Sequence, residues 1–207
     1  MKKPECIEML DSILGDDILV ITPTGKTYMY WEATEREAQV SQVNLGLCTA
    51  VGLGLALALP HRKVVVLDGD GNILFNLASL ADVAVQNPPN LIDIVFDNEC
   101  YQSCGSFPSV TSRGVSLEAI ARGCGIKNTV TVRNIDDFEQ AVKTALSAGS
   151  VSIIVAKLEP GEEAVPLPRR EGRENMYAFA RYIERTENIR IINPYARQRK
   201  KDLLTQT

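Results

Sequence analysis

Short runs of consecutive apolar residues alternate along the chain with longer segments in which apolar residues recur every three or four positions. The continuous runs are rich in β-branched residues, which is typical of strands buried on both faces. The longer segments have the period of an amphipathic helix. This alternation predicts an α/β fold, with an open, mostly parallel sheet and helices on both faces. The predicted strands are residues 18–21, 64–67, 91–96, 129–132 and 151–156, and the predicted helices are residues 7–14, 48–59, 74–86, 117–122, 135–146 and 174–185.

The most apolar segment covers residues 45–60 and contains Gly46, Gly52 and Gly54. It is too short and too rich in glycine to cross a bilayer, so we predict a buried helix that packs closely through its glycines. The N-terminus reaches an acidic residue, Glu5, before any apolar core of a signal peptide can form. We therefore expect a cytoplasmic protein that does not contact the membrane.

The character of the sequence changes near residue 160. Residues 160–207 carry 10 Lys or Arg against 7 Asp or Glu, whereas the whole chain of 207 residues has 22 against 26. We predict one domain over residues 1–160 and a C-terminal extension over residues 161–207, with one helix and a polar tail. An acidic total gives no electrostatic reason to expect a nucleic-acid partner. The basic residues of the tail are expected to be solvated: Arg197, Arg199, Lys200 and Lys201.

Scarce residue types argue against several kinds of site. His61 is the only histidine, and it lies in a polar turn before an apolar run, so neither a zinc site nor a Ser-His-Asp triad is expected. The five cysteines contain no Cys-x-x-Cys pair, which favours reduced thiols over a metal or iron–sulfur site. The candidate chemistry lies instead in two polar clusters, at residues 68–72 and 97–101. Each follows a predicted strand, and open α/β sheets bind ligands at the carboxyl ends of their strands.

The acidic turn at residues 68–72 is open to several interpretations. An EF-hand calcium loop is excluded because Ile73 and Ser79 stand where the glycine and the acidic ligand are required. A dinucleotide fingerprint lacks its third glycine. A phosphatase of the haloacid dehalogenase kind would use Asp68 as nucleophile and Asp70 as acid. That phosphatase remains an alternative, although it lacks the downstream lysine that would neutralise charge.

The two clusters together suggest another interpretation. Gly69-Asp70-Gly71, followed one helix and one strand later by Asp97-Asn98, resembles the signature of thiamine diphosphate-dependent enzymes. Mg²⁺ prefers hard oxygen ligands, and the resemblance implies a carboxylate from Asp70, an amide oxygen from Asn98 and the backbone carbonyl of Cys100. Gly69 and Gly71 would let the backbone approach the diphosphate, near the start of the following helix.

The resemblance covers roughly residues 1–160 and is carried by residues 46–57, 71–81 and 97–105. These are most similar to the β subunit of sulfopyruvate decarboxylase and to the matching half of phosphonopyruvate decarboxylase. The likeness implies that Leu45 bends the cofactor, that Asn72 binds a phosphate oxygen, and that Tyr101 and Ser103 face the substrate. Residues 104–109 depart from the Thr-Gly-Gly-Gln run of the nearest relatives, in a loop that the likeness places near the substrate.

The resemblance also implies half of an active site. In this family the glutamate that activates the cofactor lies on a separate pyrimidine-binding domain, and the predicted sheet accounts for the diphosphate domain alone. Glu32, Glu35 and Glu37 lie in a charged stretch that we interpret as solvated. We therefore expect a hetero-oligomer with a pyrimidine-binding, α-type partner subunit, thiamine diphosphate and Mg²⁺, and decarboxylation of a small 2-oxo acid. A non-catalytic or purely structural subunit remains an alternative.

Overall fold

The computed structural model describes residues 1–159, 164–168 and 170–192. Six of its strands are parallel and form one sheet in the order β2-β1-β3-β4-β8-β7, and β5 and β6 form a small antiparallel hairpin. The predicted α/β fold is thereby confirmed. The strands are β1 (Leu19–Pro23), β2 (Gln39–Val43), β3 (Val64–Gly69), β4 (Leu91–Asp97), β5 (Cys100–Tyr101), β6 (Phe107–Pro108), β7 (Asn128–Val132) and β8 (Ser152–Lys157).

Helices cover both faces of the sheet. Successive strand residues point to opposite sides, so each central strand contributes apolar side chains to two cores. One core contains side chains from β3 such as Val64 and Val66, and it packs against α3, α5, α6 and α8. The other contains Val65 and Leu67 and packs against α1, α2 and α7. The helices are α1 (Lys3–Ile13), α2 (Lys26–Glu32), α3 (Cys48–Ala58), α4 (Asp70–Ile73), α5 (Ala78–Gln86), α6 (Leu117–Gly123), α7 (Ile135–Ser147) and α8 (Gly172–Thr186).

The strand order places the two polar clusters side by side. β3 and β4 are neighbours over their whole length, with Gly69 opposite Phe96, so Asp70 and Asn98 emerge at the same edge of the sheet. The chain runs outward from β1 to β2 and then returns to the other side of β1 to form β3. Such a switch in strand order separates the loops that follow β1 and β3 and opens a crevice between them.

Helix α3 is not buried all round, so the prediction of a buried helix is wrong for one of its faces. Gly52 faces the sheet, where a Cβ would lie 2.4 Å from Val66 Cγ2, which confirms close packing at this glycine. Gly54 has no such neighbour within 4 Å. Leu57 is 49% exposed, and Leu47, just before the helix, is exposed as well. The helix therefore presents an apolar outer surface, which we call the α3 outer face: Leu47, Ala50, Gly54, Leu57 and Ala58.

The predicted helix over residues 74–86 is shorter than expected. A four-residue helix, α4, follows the acidic turn, and α5 begins only at Ala78. The break follows from Asn76, whose carbonyl oxygen accepts hydrogen bonds from the backbone N–H and the hydroxyl of Ser79. No long helix therefore starts at the acidic turn.

The sequence prediction also lacked helix α2 and strands β2, β5 and β6. Trp31 and Glu32, in the last turn of α2, are buried. The interpretation of this stretch as solvated is therefore wrong for Glu32, which the short helix turns inward together with Trp31. Glu35 and Glu37 are exposed as predicted.

Helix α8 packs on the free edge of the sheet rather than extending into solvent. The backbone N–H of Ser41 in β2 donates to Asn175 Oδ1 at 2.7 Å, and Phe179 and Ile183 enter the core. Arg62 and His61 both contact Glu187 just after the helix. The predicted boundary at residue 160 stays a prediction, and the basic residues 197–201 lie outside the described residues. No helix in the described part of the chain is long and apolar enough to span a membrane.

Candidate functional site

A cavity of about 260 Å³ lies in the crevice at the carboxyl ends of β1, β3 and β4. It contains all the residues that the family resemblance assigned to the cofactor, the metal and the substrate. Larger cavities of about 770 Å³ and 520 Å³ lie toward β7 and contain none of those residues. The predicted residues that line the crevice are Leu45, Gly69, Asp70, Gly71, Asn72, Asn98, Cys100, Tyr101 and Ser103.

Three polar groups converge at the floor of this cavity, namely the Asp70 carboxylate, the Asn98 amide and the Cys100 carbonyl. The inward end of the Asn98 amide lies 3.1 Å from Asp70 Oδ1 and 2.9 Å from the Cys100 carbonyl oxygen, and with its nitrogen turned inward the amide donates to both. With its oxygen turned inward, the amide faces two other acceptors. It also accepts a long hydrogen bond of 3.3 Å from the backbone N–H of Cys100. Oxygens that only accept hydrogen bonds repel one another at this distance, so the amide would turn its nitrogen inward unless a cation lay between them.

The spacing of these oxygens fits a magnesium ion. Octahedral Mg²⁺ binds oxygen at about 2.1 Å, so neighbouring ligands lie about 3.0 Å apart. With the amide oxygen turned inward, the distances from Asn98 to Asp70 Oδ1 (3.1 Å) and to the Cys100 carbonyl oxygen (2.9 Å) match that spacing. The donor set also suits Mg²⁺, which takes carboxylate, amide and carbonyl oxygens. The residues present could therefore hold this ion.

The turn over residues 98–100, which positions the Cys100 carbonyl, has an uncommon backbone conformation. Glu99, between Asn98 and Cys100, has a positive φ of 62°, which is uncommon for a residue with a side chain. Asp97 stabilises the turn, because its Oδ1 accepts from the backbone N–H of Glu99 at 3.1 Å and its Oδ2 pairs with Lys157 at 2.8 Å. Burial and the Asp70 carboxylate raise the pKa of the Cys100 thiol. The thiol therefore stays neutral at physiological pH, and the carbonyl is the part of Cys100 that can bind a cation.

Two hydroxyl groups that the sequence analysis missed contact Asp70. The hydroxyls of Ser109 and Thr111 lie 2.6 Å and 3.3 Å from Asp70 Oδ2. Burial raises the pKa of Asp70, the Ser109 hydrogen bond lowers it, and the Asp97 charge raises it again. A bound cation would lower that pKa and keep the carboxylate ionised.

Asn72 lies at the cavity, but its amide is already engaged. Its Oδ1 accepts from the backbone N–H of Gly46 at 2.8 Å, and its Nδ2 donates to Asp68 Oδ1. Asn76 Nδ2 donates to the Gly46 carbonyl oxygen at 3.0 Å, so both the N–H and the carbonyl of Gly46 are hydrogen-bonded. This arrangement fixes the loop that carries Leu45. The role of Asn72 as a phosphate ligand stays a prediction.

Tyr101 closes one side of the cavity over Gly71. A Cβ on Gly71 would lie 2.8 Å from Tyr101 Cδ1, so this position has no room for a side chain. The Tyr101 ring also packs edge-on against Phe75, with 6.3 Å between ring centroids. Phe75 is 64% exposed and extends the apolar rim of the cavity.

Asp68 lies behind the cavity rather than in it. It is buried with Asp93, which projects from the next strand, and Thr49 Oγ1 donates to Asp93 Oδ2 at 2.7 Å. Burial raises the pKa of Asp68 to about 7, and it raises the pKa of Asp93 well above the usual range. Asp68 Oδ1 is occupied by Asn72 and by the backbone N–H of Gly69. A buried, occupied carboxyl is a poor nucleophile, so the geometry opposes the phosphatase alternative.

Two lysines that the sequence analysis did not single out also line the cavity. Lys26 follows β1, and Lys3 comes from α1, where its Nζ donates to Thr27 Oγ1 at 3.2 Å. Nothing in the local sequence indicated Lys3, because α1 reaches this edge only through the tertiary fold.

Comparison with known proteins identifies relatives that match this site. The model of the family "Thiamine pyrophosphate enzyme, C-terminal TPP binding domain" matches residues 24–156. Sulfopyruvate decarboxylase subunit beta of Methanocaldococcus jannaschii is 35% identical over 165 residues, which cover 78% of this chain and 86% of the relative. Phosphonopyruvate decarboxylase of Streptomyces viridochromogenes is 34% identical, and the match covers 77% of this chain and 41% of the relative.

Solved structures agree on the fold. The crystal structure of benzoylformate decarboxylase from Polynucleobacter necessarius superposes with a TM-score of 0.66 at 19% identity. The match covers 81% of this chain and 34% of that protein. The fold and the family resemblance predicted from the sequence are thereby confirmed, including the likeness to sulfopyruvate and phosphonopyruvate decarboxylases.

Proposed function

This chain belongs to the thiamine pyrophosphate enzyme family, and on that premise we propose that it is the diphosphate- and magnesium-binding subunit of a two-subunit 2-oxo acid decarboxylase. The observation that carries the proposal is the convergence of the Asp70 carboxylate, the Asn98 amide and the Cys100 carbonyl. In this proposal they would hold Mg²⁺, which would bind the diphosphate of thiamine diphosphate.

When bound, thiamine diphosphate supplies the electron sink for loss of CO₂ from a 2-oxo acid. The residues of this chain bind and orient it. Gly69 and Gly71 would give the diphosphate access to the backbone, and Leu45, next to the fixed Gly46, would support the cofactor. Tyr101 and Ser103 line the same cavity and would face the substrate. This chain therefore contributes binding and orientation rather than proton transfer.

A partner subunit is needed for the activating carboxylate. Among the described residues that line the cavity, Asp70 is the single acidic one, and its proposed role is to bind the metal. The relative of Methanocaldococcus jannaschii is itself named as a beta subunit. The α3 outer face, with exposed Leu45 and Phe75 beside the cavity, offers an apolar surface for such a partner. We propose a pyrimidine-binding, α-type subunit that covers the cavity and completes it.

The proposed substrate is a small 2-oxo acid with a second anionic group, as in sulfopyruvate or phosphonopyruvate. Lys3 and Lys26 support this choice, because they bring two positive charges to a cavity that also contains a carboxylate. Burial in a cavity strengthens the attraction between such cations and an anionic ligand. The product would be CO₂ and an aldehyde that retains the anionic group.

Cofactor retention tests the proposal directly. The complex in which the chain is isolated is stripped of cofactor and titrated with thiamine diphosphate in the presence of Mg²⁺, and binding is followed by calorimetry. Asp70→Ala and Asn98→Ala should each abolish binding, because each removes a side-chain ligand of the proposed metal site. The matched controls Asp136→Ala and Asn128→Ala change exposed residues elsewhere and should bind normally. Full binding by either site variant would show that the ligand assignment is wrong.

Native mass spectrometry of the protein isolated from its own cells tests the subunit arrangement. We expect a complex with a second subunit that carries the masses of thiamine diphosphate and Mg²⁺. A complex without these masses would favour a structural subunit, and a chain isolated without a partner would contradict the two-subunit proposal.

A further inference from the structure

Asp70 has two side-chain oxygens in different environments. Oδ1 faces Asn98 and the proposed metal position, whereas Oδ2 accepts a hydrogen bond from Ser109 at 2.6 Å and lies 3.3 Å from the Thr111 hydroxyl. Both hydroxyl residues are buried, with exposed fractions of 1% for Ser109 and 4% for Thr111. One oxygen of the carboxylate therefore faces the hydroxyls and the other faces the proposed metal position.

The hydroxyl of Thr111 also connects the two polar clusters. It lies 2.8 Å from Asp97 Oδ1 and 2.8 Å from the hydroxyl of Ser109. Asp97 is fixed in turn by its ion pair with Lys157. Ser109 and Thr111 thus tie Asp70, after β3, to the turn after β4 that supplies the other two oxygens.

We propose that Ser109 and Thr111 are positioning residues for the metal site. A carboxylate can rotate about its Cβ–Cγ bond. The Ser109 donor on Oδ2, held beside Thr111, which is fixed in turn by Asp97, sets that rotation so that Oδ1 points at the proposed metal position. Groups of this kind, which hydrogen-bond a metal ligand, set its orientation and contribute to metal affinity. The inference rests on the proposed function, because it takes Asp70 as a magnesium ligand.

The β5–β6 hairpin explains how these hydroxyls reach the site. Cys100 pairs with Pro108, and the backbone N–H of Ser109 donates to the Glu99 carbonyl oxygen at 3.0 Å. The loop at the tip of the hairpin is the segment that departs from the expected Thr-Gly-Gly-Gln run. Strand β6, which returns from that loop, thus brings Ser109 beside the segment that contains Glu99 and Cys100.

The test measures Mg²⁺ affinity in the complex in which the full chain is isolated, at saturating thiamine diphosphate. Ser109→Ala and Thr111→Val should each weaken Mg²⁺ binding about 10- to 100-fold, the range found when a partner of a metal ligand is removed. Thr111→Ser restores the hydroxyl and should bind Mg²⁺ like the unaltered chain. Because the two hydroxyls contact each other in one network, the double variant should lose less than the product of the two single losses.

Ser112→Ala is the matched control, since its hydroxyl donates to the Ser109 carbonyl oxygen at 2.6 Å in the same loop. It should leave Mg²⁺ affinity unchanged. Equal losses in Ser112→Ala and Ser109→Ala would show that loop integrity, and not the hydroxyl on Asp70, sets the affinity. Unchanged affinity in Ser109→Ala and Thr111→Val would overturn this inference alone. Absence of Mg²⁺ binding by the unaltered complex would overturn the proposed function as well.

Discussion

Asn72 accepts a hydrogen bond from the backbone N–H of Gly46 at 2.8 Å, and so joins the turn after β3 to the loop before α3. Gly46 has a φ of 77°, and a Cβ there would lie 3.0 Å from Phe75 Cβ. Only glycine fits this backbone conformation without strain. The loop beside Leu45 is therefore fixed by contacts within the chain.

Asn72→Ala should destabilise the chain in the absence of any cofactor. The substitution leaves the buried Gly46 N–H without its acceptor, which costs about 1–3 kcal/mol. Urea unfolding of the cofactor-free chain measures the loss, with Asn128→Ala on the surface as control. If cofactor-free stability is unchanged and only thiamine diphosphate affinity falls, Asn72 acts by direct contact with a phosphate oxygen and not through Gly46.

Gly52 and Gly54 form a matched pair within α3. Replacing glycine by alanine in a helix interior gains up to about 1 kcal/mol from helix propensity. Gly54→Ala should show this gain because no atom lies within 4 Å, whereas Gly52→Ala places a Cβ 2.4 Å from Val66 Cγ2. We expect Gly52→Ala to destabilise the chain by about 1–3 kcal/mol, the usual cost of overpacking. Denaturant unfolding measures the free energy of unfolding of both variants. Equal changes in that free energy would contradict the close approach of α3 to β3.

The sequence predicted the centre of the site because that centre follows from strand order. Gly69-Asp70-Gly71 and Asn98 each follow a continuous apolar run, and such runs form buried parallel strands whose carboxyl ends meet. Short polar motifs that follow two such strands are therefore expected to lie close together in the fold. The signature also carries the identity of the cofactor family, which the matching family model confirms.

The surroundings of the site could not be predicted in this way. Ser109 returns through a hairpin of two-residue strands, which have no detectable period. Gln39 and Ser41 are polar but buried, because α8 covers β2 from a distant part of the chain. Lys3 approaches the cavity from α1. Each of these contacts depends on tertiary packing, which local patterns do not encode.

Asp68 and Asp93 make the stability of the fold depend on pH. Their raised pKa values mean that the folded chain retains protons that the unfolded chain releases above about pH 4. The free energy of unfolding should therefore fall as pH rises toward 7, by up to about 1.4 kcal/mol per pH unit for each retained proton.

Asp93→Asn tests this dependence because it removes one of the two groups and keeps an acceptor for Thr49. Its unfolding free energy should fall less steeply between pH 5 and pH 7 than that of the unaltered chain. Asp82→Asn changes an exposed carboxyl on α5 and should leave the slope unchanged. Urea unfolding at several pH values gives the slopes, and parallel curves for Asp93→Asn and the unaltered chain would count against the buried pair.

Asn175 tests whether α8 is an integral part of the fold. Its buried Oδ1 accepts from the Ser41 N–H, so Asn175→Ala leaves a buried donor unpaired and should cost about 1–3 kcal/mol. Glu174→Ala alters the exposed neighbour and should have little effect. The measurement is urea unfolding followed through the sheet by circular dichroism. An Asn175→Ala chain as stable as the control would indicate that α8 rests on β2 without stabilising it.

Lys26→Gln should separate recognition of the substrate from recognition of the cofactor. If Lys26 binds the second anionic group of the substrate, its loss should raise KM for sulfopyruvate or phosphonopyruvate about 10- to 100-fold, as expected for a charged hydrogen bond. KM for pyruvate, which lacks that group, should change little, and kcat should be retained. The assay uses the isolated complex, with Lys127→Gln on the surface as control.

The alternative is that Lys26 contacts the diphosphate of the cofactor, and thiamine diphosphate affinity measured on Lys26→Gln tests it. A fall in cofactor affinity without a change in the KM ratio between the two substrates would mean that Lys26 neutralises the diphosphate instead. In the proposed function the diphosphate is held at Asp70 and Asn98 and the second anionic group of the substrate is not, so the two anions lie at different positions. Unchanged cofactor affinity together with a raised KM for the substrate that carries this group would therefore assign Lys26 to the substrate.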